Sequence, residues 1–238
     1  MTDFSASFSA RMGRLKPSAT VALTDKAKAL KAQGRDVVTM SAGEPDFATP
    51  KPIVDAGIKA LQAGDTHYAA STGILPLRKA IVKKLQEVNG IELAGPEEVL
   101  VMPGAKAGLM FACLALLGKG DECVCPEPAW VSYRECVNFA GADYIPVATS
   151  GKDGFTVSAE DLEDAITSKT RLVILNSPAN PTGKVWSREE LERLAELVRK
   201  HDKLMVLSDE IYEDLLYEGA KHISFASLPG MKERTLTL

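Results

Sequence analysis

The chain has 238 residues, 45% of them hydrophobic and 25% charged, with a formal net charge of −4. That is enough for one large domain, or one domain with a small appendage, built on an ordinary apolar core. Interspersed acids and bases exclude the basic face that a nucleic acid or an anionic membrane would need. No apolar run reaches bilayer length, and the opening Met1-Thr-Asp-Phe-Ser-Ala-Ser-Phe lacks the layout of a secretory signal, so a cytoplasmic protein is expected.

The first hundred residues predict helices over Ala19–Ala32, Pro52–Ala63 and Leu75–Val88, with short extended pieces at Val37–Met40 and Val99–Met102. Residues 1–45 are expected to form an arm and part of a small domain, and residues 46–238 a large ligand-binding domain. Apolar runs then alternate with helical periods. Strands are predicted at Val99–Met102, Glu122–Pro126, Ala142–Pro146, Arg171–Asn176, Leu204–Asp209 and Arg234–Leu238. Helices are predicted at Ala105–Leu117, Trp130–Ala140, Ala159–Thr167 and Arg188–His201. Continuous Val/Ile/Leu strands separated by helices imply an α/β fold whose mainly parallel sheet is covered on both faces. Ser158 with Asp161, and Ser187 with Glu190, read as helix N-caps. Cys113, Cys123, Cys125 and Cys136 complete no zinc set and read as reduced core thiols, with Cys123 and Cys125 expected on opposite faces of one strand. The stop at Leu238 falls in mid-pattern, which suggests a truncated product or an incomplete record.

In open parallel sheets ligands bind beyond the carboxyl ends of the strands. Pro103-Gly104-Ala105-Lys106 opens a helix after one strand, as a phosphate cradle or as a simple strand-to-helix turn. Trp130 follows the next, where its indole would stack on a flat ring or fill the core. Asn176-Ser-Pro-Ala-Asn180-Pro-Thr-Gly183 is a loop stiffened by two prolines, giving the Asn180 amide a defined direction. Asp209 ends the apolar run Leu204-Met-Val-Leu-Ser, and Tyr212 comes three residues later. A buried carboxylate demands a partner. A protonated pyridine nitrogen would be one, Tyr212 would reach the 3-oxygen of the same ring, and the pair suits pyridoxal 5'-phosphate.

These segments together resemble the class I aminotransferases of the fold-type-I pyridoxal-phosphate superfamily. The likeness is to the bacterial aspartate aminotransferase subgroup that includes prephenate aminotransferases. It is carried by Lys16-Pro-Ser-Ala-Thr20, Ser41-Ala-Gly-Glu-Pro-Asp-Phe47, His67-Tyr68 with Gly73, Pro126 to Tyr133, Asn176 to Gly183 and Ser208-Asp-Glu-Ile-Tyr-Glu213, and it covers essentially the whole chain. The resemblance implies the family's large domain with an incomplete small domain. It implies that Gly43 lines the substrate α-carboxylate pocket and that Tyr68 reaches the cofactor phosphate of a neighbouring subunit, hence a homodimer. It further implies that Gly104, Ala105 and Lys106 form the phosphate loop, that Trp130 stacks on the pyridine ring, and that Asn180 touches the 3-oxygen and the substrate carboxylate. Asp209 and Tyr212 match the partners of the ring nitrogen and the 3-oxygen.

Lys106 and the Ser18/Thr20 segment resemble groups that meet a distal carboxylate, so the implied substrates are dicarboxylic: aspartate or glutamate with a 2-oxo acid. Prephenate is a second candidate substrate, and a pyridoxal-phosphate β-lyase and an inactive fragment are further readings. Ala107-Gly108 departs from the family's usual phosphate loop, and the family's Ser-Lys segment and later arginines have no counterpart. No catalytic residue is therefore assigned, and the polypeptide as written is expected to be inactive or nearly so.

Overall fold

The computed structural model describes residues 7–16, 19–40, 43 and 47–238, with Ala19, Thr20 and Ala159 described in backbone only. In chain order the elements are α1 (Ala19–Ala32), α2 (Lys51–Gln62), α3 (Leu75–Glu87), α4 (Ala105–Leu116), β1 (Glu122–Glu127), α5 (Val131–Ala140), β2 (Asp143–Ala148), α6 (Ala159–Ala165), β3 (Thr170–Asn176), α7 (Arg188–Lys200), β4 (Met205–Asp209) and β5 (Thr235–Thr237). Short 3-10 turns fill several of the connections.

The five strands form a sheet in the order β2-β1-β3-β4-β5, with every neighbouring pair parallel. Its order follows from chain geometry, since parallel neighbours need a long crossover and α5 and α7 supply two of them. Alternate residues serve opposite faces. Val124, Val173, Leu175 and Val206 pack with Leu162 of α6 and Leu191, Leu194 and Val198 of α7. Cys123, Cys125, Leu172, Ile174 and Leu207 pack with Leu109 and Cys113 of α4 and Tyr133 and Val137 of α5. Covering both faces is what makes these strands read as unbroken apolar runs.

Cys123 and Cys125 therefore share a face, which corrects the expectation that they oppose one another: residues two apart on a strand project to the same side. All four cysteines are buried and unpaired. Burial pushes the Cys113 and Cys125 thiols up to about 12 and the Cys136 thiol to about 11, so all three stay protonated near neutrality.

The strand expected at Val99–Met102 is extended but joins no ladder. The Val101 amide donates to the Thr72 carbonyl at 3.0 Å, and Leu100 and Met102 line one cavity together with Thr235, Leu236 and Thr237 of the β5 segment. Both serine caps form: Ser158 accepts from the Asp161 amide, and Ser187 and Glu190 make a reciprocal capping box at α7. Gly141 ends α5 in the left-handed region, with φ 97°.

The chain divides into two compact units, Met1–Leu15 with Ser71–Leu238, and Lys16–Ala70. The boundary expected at residue 45 falls inside the second unit. Among the described residues no helix is long and apolar enough to cross a membrane.

Candidate functional site

The carboxyl ends of β1, β3 and β4 converge on one buried acid. Asp209 is the last residue of β4 and is 4% exposed. The Tyr133 hydroxyl, projected inward from the first turn of α5, donates to Asp209 Oδ2 at 2.7 Å. Among the described residues Asp209 Oδ1 accepts one bond, from the Ile211 amide at 3.4 Å, and a carboxylate oxygen has the capacity to accept a further donor. Burial pushes the Asp209 carboxyl above its ordinary value, while the bonds from Tyr133 and Ile211 pull it back. Tyr133 is held protonated by its own burial and by the nearby Asp209 charge.

Trp130 caps the amino end of α5 and is half-buried. Its ring meets that of Tyr133 edge to face, with centroids 5.5 Å apart and planes at 88°. The exposed Lys106 ammonium lies 4.9 Å from the Trp130 ring centroid, a cation–π contact that joins α4 to the site. Gly104, just before α4, has φ 89° and ψ 157°, and a Cβ built on it would meet nothing within 4 Å. Conformation rather than space requires glycine here. With Ala105 and Lys106 in the first turn, this helix end presents amides that have no carbonyl inside the helix.

β3 contributes through Asn176, which sits opposite Asp209 in the ladder. Its side-chain amide donates to the Asp209 backbone carbonyl at 2.8 Å, and its Oδ1 accepts from the Asn180 backbone N–H at 2.7 Å. Asn180 thereby stands in the cleft shared by Tyr133, Asn176 and Ala129. Tyr212 is half-buried in the turn after β4 and lies close enough to act electrostatically on Tyr133.

Lys106, Trp130, Asn180 and Asp209 are thus brought into one run of contacts, with Gly104 and Ala105 at its α4 end. Gly43 and Tyr68 belong to the Lys16–Ala70 unit, where both are exposed. Thr20 lies in α1 with its side chain outside the described residues, and Ser18 is outside them altogether. The sequence reading gave no role to Tyr133 or Asn176, although both lie within its quoted segments. The available signals were the one-turn spacing from Trp130 to Tyr133 and the strand-end position of Asn176.

A buried acid lifted by desolvation, with one oxygen holding a single long bond and an indole nearby, fits a flat aromatic cation, as a protonated pyridine ring is. The donor set is not that of a transition metal, since Asp209 is the sole carboxylate in this run and no cysteine or histidine joins it.

Residues 35–237 match the model of the family described as aminotransferase class I and II. The chain is 49% identical over 232 residues to the bifunctional aspartate aminotransferase and glutamate/aspartate-prephenate aminotransferase of Petunia hybrida, covering 98% of this chain and 48% of that protein. It is 47% identical to the aspartate aminotransferase of Geobacillus stearothermophilus, covering 96% and 58%. The solved aspartate aminotransferase of Thermus thermophilus with maleate superimposes with a TM-score of 0.91 at 45% identity, covering 97% of this chain and 59% of that one. The chain thus spans about half the length of the curated relatives it matches.

Proposed function

The chain belongs to the class I and II aminotransferase family, and from that premise we propose that it is the cofactor-binding part of a protein that transfers amino groups between an amino acid of the aspartate/glutamate type and a 2-oxo acid, using pyridoxal 5'-phosphate. The observation that carries the reading is Asp209: a buried strand-end carboxylate whose Oδ2 is held by Tyr133 and whose Oδ1 has, among the described residues, one long bond from the Ile211 amide. When bound, the cofactor supplies an electron sink for cleaving a bond at the amino acid's α-carbon.

Asp209 holds the ring nitrogen's positive charge. Trp130 covers the ring, and the helix end at Gly104, Ala105 and Lys106 receives the phosphate. Tyr212 meets the 3-oxygen, and Asn180 meets that oxygen and the substrate α-carboxylate. Lys106 receives a distal carboxylate. Tyr68 reaches the phosphate of a neighbouring subunit, so the working form is a cytoplasmic homodimer. Residues 46–238 are its cofactor-binding portion. Dicarboxylic substrates are supported by the relative solved with maleate, itself a dicarboxylate. A prephenate activity is supported by the Petunia relative's name.

Titrating the chain with pyridoxal 5'-phosphate and following the tryptophan fluorescence, to which Trp130 and Trp186 both contribute, tests the reading. Saturable quenching is expected, and Asp209→Ala should weaken it at least about tenfold, the scale of one lost charge-assisted contact. Equal affinity in the two proteins would overturn the assignment. For the transfer itself, measured in a protein that joins this chain to the family's Ser-Lys segment, amino-group exchange between aspartate and 2-oxoglutarate should exceed pyruvate release from a β-substituted amino acid, and the reverse order would favour a lyase.

A further inference from the structure

We propose that Tyr133 is a positioning residue for the cofactor's ring nitrogen: its hydroxyl occupies Oδ2 of Asp209 and so presents Oδ1, ionised, to the ring. The inference rests on the cofactor reading above and adds a residue to it. Three observations carry it. The hydroxyl donates to Oδ2 at 2.7 Å, while Oδ1 has, among the described residues, one long contact to the Ile211 amide, so the carboxylate's two oxygens are unequal. Tyr133 is 1% exposed, which leaves its hydroxyl no water to choose instead. Its ring stands at 88° to that of Trp130, so the side chain that orients the acid also braces the ring proposed to cover the cofactor.

The physical reasoning is local. A carboxylate taken out of water stays charged only when donors or cations replace the lost solvation. The bond from Tyr133 compensates in part before any ligand arrives and fixes rotation about the Cβ–Cγ bond of Asp209. The Asn176 amide fixes the backbone of the same residue through its carbonyl, at 2.8 Å. With carboxyl and backbone both held, Oδ1 has one direction left, toward the carboxyl end of β4. Desolvation keeps Tyr133 protonated, so it acts as a donor only.

The test compares two ligands in three proteins. Pyridoxal 5'-phosphate and its 1-deaza analogue, which carries C–H in place of the ring nitrogen, are titrated against the unchanged 238-residue chain, Tyr133→Phe and Asp209→Asn. The unchanged chain should prefer the nitrogen-containing ring, and Asp209→Asn should erase the preference. Tyr133→Phe should cut it by about tenfold, the scale of a hydrogen bond to a charged group. It should leave affinity for the deaza analogue within about twofold, because phenylalanine keeps the packing against Trp130. Loss of affinity for both ligands alike would mean that the hydroxyl only supports the fold, and would overturn the proposal. So would a preference in Tyr133→Phe equal to that of the unchanged chain. If the unchanged chain binds neither ligand, or both equally, the cofactor reading itself fails and the inference goes with it.

Discussion

With no ligand present, Asp209 carries a conflict that its neighbours only partly relieve. Burial raises its carboxyl above the ordinary value of 3.8, and the bonds from Tyr133 and Ile211 do not fully offset the lost solvation. Because the folded-state value lies above the unfolded one, the group's favourable contribution to folding is fully present below the unfolded value and is lost as pH rises through the raised one. Asp209→Asn removes the ionisation while keeping the shape. Thermal melts of the cofactor-free proteins should therefore coincide in acid and separate toward pH 8, with the variant the more stable by about 1 kcal/mol. A gap that stays constant across this range would overturn the assignment of the strain to ionisation. At this scale the sequence was informative about residue types and silent about pairs. Asp209, Trp130 and Asn180 stood out because each interrupts an apolar or helical pattern at a strand's end. The bond from Tyr133 to Asp209 joins positions 76 apart, and no local pattern announces it.

Elements were legible where their signals are local. The box at Ser187 and Glu190 is written in four consecutive residues, and the structure forms it with bonds of 3.2 and 2.7 Å. Ser187→Ala should cost about 1 kcal/mol, read as a lower urea midpoint at unchanged slope. The segment Val99–Met102 was not legible in this way: its composition suits a strand, but pairing depends on a neighbour, and among the described residues it joins no ladder. A second tie was invisible for the same reason. Glu210 is 3% exposed, and its Oε1 accepts from Ser208 Oγ at 2.6 Å, Ser224 Oγ at 3.0 Å and the Phe225 amide at 3.2 Å. Its Oε2 lies 2.9 Å from His222 Nε2. This cluster pins the end of β4 to the 3-10 turn Phe225–Ser227. Removing it in Glu210→Ala strands several buried partners, so a loss of about 3 kcal/mol is expected by urea unfolding. A loss within about 0.5 kcal/mol, the range of ordinary surface changes, would show that the cluster is not a fastening.

For the molecule as a whole, the parallel sheet and its two helical layers followed from the alternation of apolar runs with helices, because a strand buried on both faces leaves that mark wherever it occurs. The unit Lys16–Ala70 left no such mark. Met40, Phe47, Ile53, Ile58 and Leu61 are all exposed, and α2 buries no residue. Exposed apolar side chains in that number favour association. Replacing Ile53 and Ile58 together by Glu should lower the sedimentation-average mass measured at high protein concentration, and no change would show that α2 stays out of any assembly. The order of the strands also bears on how the protein is made. A ribosome that has delivered everything through α7 has already produced Lys106, Trp130, Tyr133 and Asn180, yet Tyr133 has no acid to bond and Asn176 no carbonyl. Only when β4 slides in beside β3 do these waiting groups find their counterpart. Affinity for the ring should thus appear abruptly, late in synthesis, rather than accumulate as the nascent polypeptide lengthens.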